Sequence, residues 1–192
     1  MKDDRIYNTL KWVAIVLGVS VLSIEVYRHF SSFDPGEIAY VDANSSFNAG
    51  SYDKALELYK QSLRENPDYA PAWRGLANTY VQLQQYEEAL TAIEQAIATK
   101  PDFGGYYAIR GIIHDHEGRY RKAIEDYEKA VSTEPTVTEG MHWLDRLLHN
   151  VQEVPPTIAD RLGYLKHQMS LPPEERVLRV PELDAQQRPY ER

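Results

Sequence analysis

Residues 73–101 read WRGLANTYVQLQQYEEALTAIEQAIATKP, and the spacing within this stretch decides the fold. Small side chains at Ala77, Ala89 and Ala96 allow two helices to approach closely, while Trp73, Tyr80 and Tyr86 fill the space between neighbouring pairs. Pro101 stops the second helix. The same pattern recurs on both sides. Pro67, Pro101 and Pro135 stand 34 residues apart. Aligned on them, Tyr52, Tyr86 and Tyr120 form one column, and Ala55, Ala89 and Ala123 another. Tyr59, Ile93 and Tyr127 form a third, Ser62, Ala96 and Ala130 a fourth, and Gly50 and Gly118 share a fifth with Gln84 between them. An internal period of this length means stacked supersecondary units, each too small to bury its apolar face alone.

The columns resemble the tetratricopeptide repeat (TPR) family. The middle repeat carries Trp73, Leu76, Ala77, Tyr80, Tyr86, Ala89, Ile93, Ala96 and Pro101 at the family's positions, and the third carries Tyr107, Gly111, His114, Tyr120, Ala123, Tyr127, Ala130 and Pro135. The first is weakest, with Ala39, Ala43 and Ser46 in its leading helix. The resemblance implies an all-α, right-handed superhelix of three repeats at 36–69, 70–103 and 104–137. It also implies a concave face lined by the first helix of each pair. The groove columns are then Tyr40, Asn44 and Phe47, then Arg74, Asn78 and Val81, then Ala108, Ile112 and Asp115. Some relatives clamp a chaperone's C-terminal carboxylate with Lys, Arg and Asn residues. Asn44, Arg74 and Asn78 partly match that set, whereas Gly105 and Ile109 stand where the third repeat would supply two basic residues.

The open C-terminal side of such a stack needs a cap, expected over 138–170. Trp143, Leu144, Leu147, Leu148 and Val151 recur at helical spacing. After Pro155-Pro156, Thr157 and Asp160 read as a capping box, and Ile158, Leu162, Leu165 and Met169 form the apolar stripe of a further helix. Asp68, Asp102 and Thr136 are N-cap types placed just after the three prolines, Thr136 pairing with Glu139 in a second capping box. Residues 171–192 read as an extended tail that docks on a partner or on the repeats.

Leu10 to Tyr27 is almost wholly apolar, with Trp12 and Tyr27 at its ends. Eighteen helical residues rise roughly 27 Å, close to a hydrocarbon core of about 30 Å. The expectation is one transmembrane helix over 12–28, with residues 1–11 cytoplasmic because Lys2, Arg5 and Lys11 precede it, and the repeats on the outer side. A cleaved signal peptide and a soluble core helix are the competing readings. The residues after the run, Val26-Tyr27-Arg28-His29-Phe30, offer no small-x-small cleavage site. Ala14, Gly18, Val21 and Glu25 share one face suited to helix packing; alternatively Glu25 pairs locally with Arg28.

Charge and composition narrow the function. The formal net charge is −8, and residues 36–151 hold 18 acids against 11 bases, which disfavours a phosphate backbone as partner. There is no cysteine, so disulfides, thiolate metal sites and a cysteine nucleophile drop out. No phosphate-binding loop, nucleophile elbow or HExxH pattern occurs. His114 and His116 invite a metal but point about 200° apart on a helix. No cofactor, metal or small-molecule substrate is expected, and no catalysis. The expected function is a membrane-anchored interaction module that holds a protein partner as an assembly or biogenesis factor; the alternative is a permanent accessory subunit of a large membrane complex.

Overall fold

The computed structural model describes residues 2–31, 35–138 and 156–179. Among them every regular element is helical. α1 spans Lys2–Ser31. Six helices then alternate: α2 (Glu37–Asn48), α3 (Tyr52–Glu65), α4 (Ala70–Gln82), α5 (Tyr86–Thr99), α6 (Gly104–His116) and α7 (Tyr120–Thr133). They pack as the pairs α2/α3, α4/α5 and α6/α7, with α3 against α4 and α5 against α6 joining the pairs into a stack. α8 (Ile158–Ser170) closes the stack against α7.

The period is written in the backbone. Asn66, Lys100 and Glu134 each precede a column proline, and each has φ −142°. Proline crowds the residue before it out of the helical region, so the second helix of every pair ends at the same place. Each of these residues still donates its N–H four back, to Ser62, Ala96 and Ala130 at 2.9–3.0 Å. The turn inside each pair is equally periodic. Gly50, Gln84 and Gly118 adopt φ +72°, +59° and +74°. The amides of Ser51, Gln85 and Arg119 then reach back to the carbonyls of Ser46, Tyr80 and His114 at 2.8–2.9 Å. A left-handed residue ends the first helix and turns the chain onto the second.

Side chains fasten the same frame. Trp73 Nε1–H donates to the Pro67 carbonyl at 2.7 Å, and one period later the Tyr107 hydroxyl donates to that of Pro101 at 3.0 Å. The first repeat has Ala39 in this column and no such tie. The core is built of small residues at the helix crossings, with Ala43, Ala55, Ala72, Ala77, Ala89 and Ala96 fully enclosed or nearly so. A Cβ on Gly75 would lie 2.3 Å from the Tyr59 ring, so α3 and α4 meet only because that position is glycine.

Several expectations are corrected. Asp68 and Asp102 are not N-caps; α4 and α6 begin after Tyr69 and Phe103. The aspartates sit in the turn that follows each proline, where the Asn66 side chain accepts the Asp68 N–H at 3.2 Å. The Thr157–Asp160 capping box is present, with the Thr157 N–H donating to Asp160 Oδ2 at 2.8 Å and the Asp160 N–H to Thr157 Oγ1 at 3.2 Å. Thr136 lies within a 3-10 turn over Pro135–Thr138, its hydroxyl donating to Glu134 Oε1 at 3.1 Å, while its expected partner Glu139, the expected cap at Trp143, Leu144, Leu147, Leu148 and Val151, and the tail beyond Arg179 lie outside the described residues.

The expected transmembrane helix is not shown. Among the described residues no helix is long and apolar enough to cross a membrane. The described side chains of α1 run from Leu10 to Val26, a rise of about 25 Å, and Lys11 and Glu25 interrupt their apolar character. All of them are exposed, Leu22 by 67% and Trp12 by 65%. The packing face expected at Ala14, Gly18, Val21 and Glu25 is exposed as well, and nothing lies within 4 Å of a Cβ placed on Gly18.

Two substitutions test the frame. Gln84→Gly relieves the left-handed strain at the one turn lacking glycine among the three, and should raise stability by up to about 1 kcal/mol. Gly75→Ala should lower it by about 1–3 kcal/mol through overpacking against Tyr59. Urea denaturation followed by circular dichroism reads both; equal stability of Gln84→Gly and the parent would contradict the strain.

Candidate functional site

A cavity of about 250 Å³ opens between α2 and α4. It is lined by Tyr40, Asn44, Phe47, Asn48, Tyr59, Arg74, Gly75 and Asn78. Helical spacing puts the α2 residues on one stripe, and the 34-residue period brings Arg74 and Asn78 of α4 beside Tyr40 and Asn44. Arg74 Nη2 donates to the Tyr40 hydroxyl at 3.4 Å. The Tyr40 ring lies 6.1 Å from that of Tyr59 and edge-on to Tyr69 at 5.3 Å, which fixes its orientation. The Tyr59 hydroxyl donates to Asn44 Oδ1 at 2.6 Å, leaving the Asn44 amide hydrogens for another acceptor. Asn78 is buried and its Oδ1 has no hydrogen-bond partner within the described chain. Arg74 is the charged group of this lining, between aromatic walls that lower the local dielectric. Tyr106 on α6 borders the same region; burial raises its pKa from 10.0, and the nearby Arg74 charge opposes that shift.

Five of the expected groove residues therefore come together: Tyr40, Asn44, Phe47, Arg74 and Asn78. The other four do not line an open groove. Val81 is 8% exposed and belongs to the core between α4 and its neighbours. Ile112 and Asp115 are 1% and 4% exposed, and Ala108 is fully buried, because α8 lies over them. Arg161 of α8 forks onto Asp115 with Nε–Oδ2 at 2.7 Å and Nη2–Oδ1 at 2.8 Å. Gly105 and Ile109, where a carboxylate clamp would need basic residues, are also buried.

Tyr59, Asn48 and Gly75 are lining residues that sequence reasoning missed. Tyr59 comes from α3, the second helix of its pair, whereas only first helices were expected to line the groove. A signal was present. The column Tyr59, Ile93, Tyr127 carries a hydroxyl only in repeats one and three, and both hydroxyls donate to polar groups on the facing first helix, Asn44 and Asp115.

His114 and His116 diverge as helical spacing requires. The His116 ring stacks on Tyr86 at 5.5 Å. His114 faces Asp126 and Glu117, each 3.7 Å from one ring nitrogen. Asp126 is held by a two-pronged contact from Arg110, and Glu117 by Arg119 at 2.9 Å. No group of three metal-ligating side chains occurs among the described residues.

Residues 47–111 and 105–137 each match a family described as tetratricopeptide repeat. These are TPR repeats. Neither match reaches the start of α2, the helix that departs most from the family pattern. Among solved structures, the first TPR of Spaghetti (RPAP3), bound to the HSP90 peptide SRMEEVD, is 18% identical over 71% of this chain and 94% of that one, with a TM-score of 0.58. The second TPR of the same protein, bound to the same peptide, is 26% identical over 53% of this chain and 94% of that one, with a TM-score of 0.51. The Arabidopsis OM64 TPR domain is 19% identical over 70% and 97%, with a TM-score of 0.55. Nothing among curated protein sequences matches the chain significantly.

Burial lowers the His114 pKa from 6.5, overriding the raising effect of Asp126. The unfolded chain then binds this proton more readily than the TPR stack. His114 stabilises the fold above about pH 6.5, and that contribution is lost as pH falls through its lowered folded value. His114→Tyr, which copies Tyr80 from the same column, should flatten the loss of stability between pH 7 and pH 5.5 in urea titrations. An unchanged slope would show that other groups carry it.

Proposed function

We propose that the cavity between α2 and α4 receives an extended segment of a protein partner, and that α1 attaches the chain to a membrane beside which the partner is held. The carrying observation is the convergence of Arg74, Asn44 and Asn78 on one cavity with aromatic walls. A guanidinium and two amides on rigid helices suit carboxylate or backbone groups, which take paired hydrogen bonds. Two similar TPR domains were solved with a bound HSP90 peptide, which supports a peptide as the ligand class. The C-terminal carboxylate is a poor candidate for the recognised feature, because Gly105 and Ile109 supply no cation. The assembly-factor reading is preferred over a permanent subunit. Val177 and Arg179 of the tail make hydrogen bonds to their own chain, on Tyr164, Gln168 and His116.

The membrane attachment rests on the exposed apolar run of α1, and on Trp12 near its start. Lys2, Arg5 and Lys11 before that run favour an N-terminus on the cytoplasmic side, with the repeats opposite.

Arg74→Ala should weaken partner binding by tenfold or more, on the order of 2 kcal/mol, with an unchanged melting temperature, since Arg74 is not core. Calorimetry with a co-purified partner reads this. Full-strength binding by both Arg74→Ala and Asn78→Ala would exclude the cavity. Separately, the full chain should float with phospholipid vesicles, and Leu17→Glu combined with Leu22→Glu should abolish flotation. Resistance to alkaline carbonate is expected for a single-pass helix, with repeats digested from the non-cytoplasmic side; release by carbonate would place α1 in the interface instead.

A further inference from the structure

The repeat period permits a comparison inside the chain. Tyr40, Asn44, Phe47, Asn48 and Tyr59 line the open cavity of the first repeat. Two periods later the same columns hold Ala108, Ile112, Asp115, His116 and Tyr127. There the space is filled by the chain itself. Ile158 and Leu165 of α8 are buried against Ala108, Ile112 and Tyr127. Between them Arg161 grips Asp115, which also accepts the Tyr127 hydroxyl at 3.2 Å.

The segment after α8 folds back as a strap. The Tyr164 hydroxyl donates to the Val177 carbonyl at 2.5 Å, and the Val177 N–H donates to Gln168 Oε1 at 2.7 Å. The Leu178 carbonyl accepts from Arg161 at 3.2 Å, and Arg179 donates to the His116 carbonyl at the end of α6 at 2.8 Å. α8 and the strap are therefore one unit, hooked to the third repeat by two arginines.

We infer that the third-repeat face is a second docking site, selective for an amphipathic helix bearing an arginine, and that α8 with its strap is a built-in occupant that holds it shut. The charge at Asp115 makes the site selective rather than merely sticky. A buried ion pair gains little over water once desolvation is counted, but either charge alone is strongly disfavoured. An apolar helix without a cation at the place of Arg161 would bury Asp115 unpaired. One with an apolar residue three before the arginine and another four after, as in Ile158, Arg161 and Leu165, fits. Because the pair itself adds little net stability, the occupant is able to exchange. This site is separate from the α2/α4 cavity and does not depend on that cavity's role.

The test uses the full chain in mild detergent and a fluorescent synthetic peptide of residues 156–179. Arg161→Glu sets a second acid against Asp115 and should free α8, so that the variant binds the peptide at least tenfold more tightly than the parent. Adding Asp115→Lys to Arg161→Glu restores an internal pair of reversed sign, and peptide capture should fall back. In the unmodified chain, amide hydrogens of α8 should exchange at least tenfold faster than those of α4 and α5, through local opening. Exchange of α8 in step with α4 and α5, or no peptide capture by Arg161→Glu, would overturn the inference and make α8 an integral cap.

Discussion

The steric clash between a proline ring and the residue before it, repeated every 34 residues, is the constraint on which the rest of this structure depends. It places Asn66, Lys100 and Glu134 in one extended conformation and ends three helices at equivalent points. Because the ends are equivalent, the next helix leaves each time in the same direction. The left-handed turns at residues 50, 84 and 118 do the same inside each pair. With both connections fixed, helices of 12–14 residues stack with one geometry, and small residues, alanines together with Gly75 and Gly111, let the helices approach. Periodicity in the fold comes from periodicity in two local backbone states.

That geometry makes the cavity. Residues on first helices one period apart, such as Tyr40 and Arg74, are brought side by side without any direct sequence proximity. The second helix contributes only where its side chain is long enough to pass between, as Tyr59 does. A substitution that conserves bulk but removes the hydroxyl would keep the stack and leave the Asn44 amide free to rotate.

Much of this was legible. The proline columns, the small residues and the Thr157–Asp160 box are local signals, each set by sterics or hydrogen bonds within a few residues. The misreadings share a different cause. Asp68 and Asp102 are good cap types, yet the turn after proline uses them first, so propensity lost to chain geometry. Val81, Ile112 and Asp115 occupy columns that face a groove in a regular array, but their exposure depends on what packs over them. For Val81 that is the core shared by α4 and its neighbours; for Ile112 and Asp115 it is α8, some forty residues further on, whose own apolar stripe does not say where it docks. Arg161 reads as one polar residue beside an apolar stripe; its pairing with Asp115 across 46 positions is visible only in three dimensions. For α1, composition alone describes an apolar run, and its surroundings decide what covers it.

The Asp115–Arg161 pair also has a consequence for the order of synthesis. A chain leaving the ribosome presents all three repeats before α8 exists, because Arg161 is translated 46 residues after Asp115. During that interval the third repeat exposes Ala108, Ile112 and a carboxylate with no cation to meet it. The charge keeps water on this face and opposes its burial against another nascent chain, since an unpaired acid resists desolvation. Asp115 thus acts as a placeholder, guarding an unfinished apolar surface until the helix that completes it has been made.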